Sequence, residues 1–172
     1  TTIDRQCGSG QQAVHFAAQG VMAGAYDVAI ASGVEVMTRV PMGASTADGK
    51  YGFPFGPSVS ARYAERGGLV PQGEAAEMIA DRWGITREEM DEYGLLSQQR
   101  AATAIREGRF ERELVPVSGD DGAAITTDGG VRPTSMADLA RLAPVFRPLD
   151  GRVTAGNASQ ITDGAASVLI MS

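Results

Sequence analysis

The strongest constraint on how this chain folds is a run of small apolar residues at helical spacing, followed within a few positions by a nearly continuous apolar segment. From Ser9 to Ala25, the residues Ala13, Val14, Ala17, Ala18, Val21 and Met22 recur three and four apart, as on one helix face. Side chains this small let neighbouring elements approach closely, so the pattern predicts a buried helix that ends near Gly24. The segment YDVAIASGVEVM that follows is rich in β-branched residues and lacks alternation, as expected of a strand covered on both faces. Helix and strand together predict part of an α/β layer.

The pattern changes after Arg39. Residues 41–73 carry many Gly, Pro and Ser residues, as in GFPFGPSVS, and predict a loop-rich excursion. Helical periodicity returns in GEAAEMIADRWG, with Ala76, Ile79 and Trp83 on one side and Gly84 as a stop. Thr86 and Glu89 form a capping-box pattern that opens a second helix. Its predicted inner face is Met90, Tyr93, Ser97, Ala101, Ala104 and Ile105, and Gly108 ends it. Trp83, Met22, Met78 and Met90 are read as core residues on these helices. The segment ELVPVS predicts a short edge strand weakened by Pro116, residues 119–135 read as turns, and DLARLAPVF predicts a brief helix. The last segment, GRVTAGNASQITDGAASVLIMS, reads as a glycine-rich turn and an apolar strand.

Composition excludes several classes of function. With 43% hydrophobic and 21% charged residues the chain is of globular type, and no apolar run is long enough to span a bilayer. A single cysteine makes no internal disulfide, and one cysteine with one histidine makes no zinc cage, so no metal site is expected and a reducing, cytoplasmic setting fits. The net charge of −6 opposes general attraction to nucleic acid. The opening residues Thr1 to Arg5 show neither an initiator Met nor an export signal, which reads as a truncated start.

The single cysteine, Cys7, admits two readings. Free cysteine is often a buried, inert small hydrophobe. At a helix start, however, unpaired backbone N–H groups and the positive end of the helix dipole favour a thiolate. Gly8 and Gly10 would also let backbone amides approach a bound carbonyl and hold a developing oxyanion. His15 lies eight residues on. At the helical rise of about 1.5 Å per residue it sits on the order of 12 Å away, well beyond hydrogen-bond reach, so a packed or capped histidine is expected.

Taken together, RQCGSGQQAV, AGAYDVAIASGVEVMTRVPMG and GRVTAGNASQITDGAASVLIMS closely resemble the thiolases, the acetyl-CoA C-acyltransferases. The helical stretch from GEAAEMIADRWG to ELVPV resembles the loop-domain region of that family. The resemblance implies an incomplete α/β fold: one thiolase-like layered α/β/α half, a mixed sheet between helices, carrying an inserted loop domain. It divides the chain into 1–38 (nucleophile helix and following strand), 39–150 (loop domain and return segment) and 151–172 (the half resuming), with the C-terminal half absent. The Asn-Glu turn, the Gly-His-Pro histidine base and the Cys-x-Gly-Gly cysteine of the family do not occur in these residues.

By this resemblance Cys7 is the acylated nucleophile of a 3-ketoacyl-CoA thiolase acting in lipid or steroid side-chain oxidation. Ser159 corresponds to the residue that hydrogen-bonds the pantetheine arm, and Ala155 and Gly156 to the adjacent tunnel wall. Arg132 resembles an arginine near the CoA nucleotide, against the alternative of a solvated surface arginine; Asn157 is read as ordinary turn chemistry. Pro71 and Gln72 stand where short-chain members have His-Met beside the acyl tunnel, which points to longer or bulkier acyl groups. The resemblance further implies coenzyme A as substrate with no tightly bound cofactor, acyl-CoA and CoA as partners, and a homodimer or homotetramer. The competing reading is a noncatalytic thiolase-like protein that binds acyl-CoA.

Overall fold

The computed structural model describes residues 1–53 and 55–172. Its packing separates two units, one of Thr1–Phe53 with Ile161–Ser172 and one of Pro54–Gln160. Residues 39–53 thus fall in the first unit with residues 1–38, and residues 151–160 in the second. Among the described residues no helix is long and apolar enough to cross a membrane.

The first unit is built on helix α1 (Ser9–Met22) and the strands β1 (Val28–Glu35) and β4 (Gly164–Met171). Helix α1 stops at the expected glycine. Gly24 takes the left-handed conformation at φ 69°, so that its N–H donates to Val21 O and that of Ala25 to Gly20 O, both at 3.0 Å. The chain then turns back with Tyr26 lying across the helix, where any side chain at position 20 would overlap its ring. Strands β1 and β4 pair antiparallel, from Val28 opposite Met171 to Glu35 opposite Gly164. Helix α1 packs on both strands, burying Ala17 against a face that includes Ala31.

The other face of the strand pair is not covered as the apolar run led us to expect. Ile30, Val34, Leu169 and Met171 are exposed there, beside the paired hydroxyls of Ser32 and Ser167 at 2.9 Å. Among the described residues α1 is the one helix that contacts this pair, and it covers a single face. Met22, expected in the core, is also exposed. Beyond the strands, Thr38 donates its N–H and hydroxyl to the two carboxyl oxygens of Asp163, at 3.0 and 2.6 Å, tying the exit of β1 to the entry of β4.

The second unit contains α2 (Pro57–Tyr63), α3 (Gln72–Trp83), α4 (Arg87–Arg106), the two-residue strands β2 (Val117–Ser118) and β3 (Ala124–Ile125), and α5 (Met136–Leu139). Helix α2 falls within the stretch expected to be loop, its proline tolerated at the first helical position. Pro54, in the same predicted stretch, lies outside the described residues. Strands β2 and β3 form a small antiparallel hairpin in which only the first lies in a predicted strand. The capping box at the start of α4 is present: Glu89 N–H donates to Thr86 Oγ1 at 3.1 Å, and Thr86 N–H to Glu89 Oε2 at 2.7 Å.

Helices α1, α3 and α4 are where the sequence predicts them, while α5 shares only Asp138 and Leu139 with the brief helix expected over DLARLAPVF, and α3 buries a different face. Ile79 and Trp83 are exposed, as is Met78, whereas Glu77 is fully buried beside Ala80. On α4, Tyr93 and Ile105 are exposed and the buried positions are Asp91 and Ala104, with Met90 intermediate. The reason is a polar partner. Glu77 receives the backbone N–H groups of Arg152 (2.8 and 3.0 Å to its two oxygens) and Val153 (2.8 Å), so the segment following α5 is bonded directly to the helix. Asp91 accepts from Arg87 at 2.7 Å and from Asn157 Nδ2 at 2.9 Å, while Arg87 also donates to the carbonyls of Leu139 and Leu142 at the end of α5.

Removing the Glu77 acceptor would strand the buried peptide N–H of Val153 and the half-buried one of Arg152, so Glu77→Ala is expected to destabilise the protein by about 3 kcal/mol. Glu77→Gln, which keeps one acceptor oxygen, should cost less. Urea unfolding followed by circular dichroism measures both, and equal stability of Glu77→Ala and wild type would contradict the role assigned to this contact.

Candidate active site

Cys7 stands in a single 3-10 turn, Gln6–Gly8, that runs straight into α1. Its side chain is exposed, so the structure removes the reading of a buried hydrophobe. Gly8 occupies the N-cap and carries no side chain to cap the opening turn of α1. The helix N-terminus beside the thiol therefore keeps its positive end open to an approaching group. His15 is exposed on α1, two turns beyond, rather than packed or capped as expected.

The remaining candidates lie in the second unit: Ala155, Gly156 and Ser159 on or next to the segment that Glu77 and Asp91 hold, and Arg132 on an earlier stretch of chain. Thr154 is fully buried, and Asn157 folds the chain over it, its Oδ1 accepting from Thr154 N–H at 2.8 Å and its Nδ2 donating to Arg152 O at 2.8 Å. Asn157 thus performs the turn chemistry expected of it and also reaches Asp91. Gly156 rests on α4 at Gly94, where a Cβ would come within 2.7 Å of the Gly156 carbonyl. The structure brings two predicted residues together: Arg132 Nη2 donates to Ala155 O at 3.4 Å, and Arg132 N–H donates to Gln98 Oε1 at 3.1 Å. Arg132 also borders a groove of about 440 Å³ along α4, lined by Leu95, Gln98, Ala102, Ile105, Val131 and Pro133 among others. Ser159 is exposed just beyond the Asn157 turn.

The family model for the N-terminal domain of thiolase matches residues 1–172. The chain belongs to the thiolase family. Steroid 3-ketoacyl-CoA thiolase FadA6 of Mycobacterium tuberculosis is 42% identical over 174 residues, covering 99% of this chain and 42% of the relative. The 3-ketoacyl-CoA thiolase of Hahella chejuensis is 43% identical over 176 residues, covering 99% of this chain and 43% of that protein. Among solved structures, the dimeric peroxisomal thiolase of Saccharomyces cerevisiae superposes with a TM-score of 0.82 at 35% identity, over 98% of this chain and 42% of its own. Human mitochondrial 3-ketoacyl-CoA thiolase in complex with CoA gives 0.80 at 33% identity, over 99% and 44%. The chain thus has the α/β fold of the thiolase N-terminal domain and spans less than half the length of these relatives.

What sequence reasoning missed in this thiolase domain is the ionic frame that joins α3 to Arg147 and Arg152, ahead of the Ala155–Ser159 segment. Arg147 donates to Glu74 (2.5 and 2.9 Å) and to Asp81 (2.6 Å), and Arg152 donates to Asp81 at 2.6 Å. Glu74, Glu77 and Asp81 line one face of α3 at helical spacing, a stripe visible in the sequence but carrying no apolar signal. The hydrogen bonds from Arg147 hold both the Glu74 and Asp81 carboxyls below their ordinary values, with Arg152 adding to the effect at Asp81.

Those lowered values fix the pH dependence. A carboxyl with a folded-state pKa below its unfolded one contributes stability that is fully present above the ordinary carboxylate range of about 4 and is withdrawn as pH falls through the lowered value. Arg147→Met should therefore lower stability at pH 7 and flatten the loss of stability below about pH 4. Urea midpoints measured across that range test this; an acid limb as steep as that of the wild type would contradict it.

Proposed function

We propose that this chain supplies the nucleophile-bearing part of a 3-ketoacyl-CoA thiolase, with Cys7 as the acylated residue. The observation that carries the reading is an exposed cysteine on the turn that opens α1, in a chain matched end to end by the thiolase N-terminal domain. The relatives' names, 3-ketoacyl-CoA thiolase and in one case steroid 3-ketoacyl-CoA thiolase, support the substrate class.

In this reading the Cys7 thiolate adds to the 3-keto carbon of the acyl-CoA, and the bond between C2 and C3 breaks. The C2 carbanion takes a proton and leaves as acetyl-CoA, while the shortened acyl group stays on Cys7 as a thioester. The thiol of a second CoA gives up its proton and displaces the acyl group, which restores the free cysteine. Run backwards, the same steps make a carbon–carbon bond. The open amides at the start of α1 stabilise oxygen as it gains negative charge. The proton transfers fall to the histidine and second cysteine that the family carries and that these residues lack.

CoA serves here as a substrate rather than a resident cofactor. Ser159 contacts the pantetheine arm, Ala155 and Gly156 form the wall beside it, and Arg132 and its groove receive the nucleotide end. Pro71 and Gln72 at the start of α3, in place of His-Met, fit a degradative enzyme for longer or ring-bearing acyl groups. A cytoplasmic homodimer or homotetramer accords with this role, and one of the matched structures is itself a dimeric thiolase.

Cys7→Ala in the full-length protein is expected to abolish the acyl-enzyme seen by intact mass spectrometry after mixing with a 3-ketoacyl-CoA. Turnover should drop by roughly a thousandfold or more. CoA binding by calorimetry should stay within about threefold of wild type. Persistent turnover in Cys7→Ala would refute the nucleophile assignment, and a wild-type protein that binds CoA yet forms no acyl adduct would establish the noncatalytic alternative.

A further inference from the structure

We infer that Ser9 is a positioning residue for Cys7: its hydroxyl closes the turn that presents the thiol. The inference rests on the nucleophile reading above and concerns how that nucleophile is aimed. Gln6, immediately before Cys7, has φ 49°, in the left-handed region that a residue bearing a Cβ avoids. Such a conformation persists only where its surroundings hold it.

Ser9 holds it from both sides. Its Oγ accepts the N–H of Arg5 at 2.8 Å and donates to the carbonyl of Gln6 at 2.7 Å, so one hydroxyl joins the two residues preceding Cys7 to the first residue of α1. Around this link, Gly8 N–H donates to Arg5 O at 3.0 Å and Gln6 N–H donates to Asp4 Oδ1 at 2.9 Å. The backbone entering Cys7 is thereby fastened to a helix end, and the direction of its Cα–Cβ bond is fixed with it.

Without the hydroxyl, Arg5 N–H loses its partner and Gln6 is free to relax to negative φ, which swings the Cys7 side chain away from its present line. The effect should fall on the chemical step, since small misalignments of a nucleophile cost rate rather than binding. Loss of helix would not account for it, because alanine at the first position of α1 is at least as good a helix former as serine.

The test uses the full-length protein. Ser9→Ala should lower kcat by about tenfold or more and slow alkylation of Cys7 by iodoacetamide by a similar factor. The KM values for 3-ketoacyl-CoA and CoA should stay within about twofold. Ser9→Thr, which retains the hydroxyl, should recover most of the rate, while the isosteric Ser9→Val should not. The Thr and Val pair carries the test even where the alanine variant folds poorly, since the two differ only in the hydrogen-bonding group. Wild-type kcat and alkylation rate in Ser9→Ala, or equal activity of Ser9→Thr and Ser9→Val, would overturn the proposal. Cys7→Ala serves as the companion variant. If it is dead while Ser9→Ala is unimpaired, the positioning role alone fails; if it still turns over, the nucleophile reading fails and takes the proposal with it.

Discussion

The second unit depends on one buried carboxyl group. Glu77 has no exposed surface, and its oxygens are occupied by the backbone N–H groups of Arg152 and Val153. Those donors belong to residues some 75 positions away in the chain, so the contact draws a long return segment onto α3. Burying a carboxyl costs several kcal/mol and its hydrogen bonds roughly offset that cost, so the contact adds little net stability. What it adds is register. If the return segment slid by one residue, Glu77 would face the wrong amides and stay unsatisfied in the interior, a far larger penalty than an apolar contact would impose. Gly151 shows how tight the fit is, because a Cβ there would lie 2.5 Å from the carbonyl of Arg147 and 2.9 Å from Glu77 itself.

From that anchor the neighbouring contacts follow in order. Once the amide of Arg152 is bonded to Glu77, its side chain lies within reach of Asp81, which Arg147 also holds. The chain then passes into Val153 and Thr154, both buried, and Asn157 folds it back while reaching Asp91 on α4. The Ala155–Ser159 segment emerges at the end of this sequence of bonds. Its position is therefore set by acidic residues of two helices together with Leu139 and Leu142, whose side chains pack against Gly156.

This difference explains what could be read from the sequence. Helix ends were legible because they are local: Thr86 with Glu89 caps α4, and Gly24, Gly84 and Gly108 lie where α1, α3 and α4 stop. The strands β1 and β4 were legible as apolar runs. The inner face of α3 was not, since periodicity of apolar residues selects Ala76, Ile79 and Trp83, while the face that packs carries Glu74, Glu77, Ala80 and Asp81. A stripe of acidic residues ordinarily marks a solvated face, and the partners that reverse this, Arg147 and the amides of 152 and 153, lie far along the chain. Asn157 is the turn residue its context predicts, but its bond to Asp91 carries no local sign. Helix α2 was hidden by the Gly- and Pro-rich character of its surroundings.

The turn at Cys7 is built in the opposite way. Every bond that shapes it, from Asp4, Arg5, Gln6, Gly8, Ser9 and Gln12, comes from residues within a nine-residue window. That locality is why a cysteine followed by Gly8 and Gly10 ahead of a small-residue helix is readable from the sequence as a nucleophile candidate. It also means that the two sets of candidate residues answer to different parts of the sequence. Substitutions in residues 4–12 act on the turn that carries the thiol, whereas substitutions on α3 and α4 act on the segment proposed to meet CoA, through bonds within the second unit. Under the proposed function, acylation and CoA binding therefore answer to separate sets of hydrogen bonds, one within residues 4–12 and the other within the second unit.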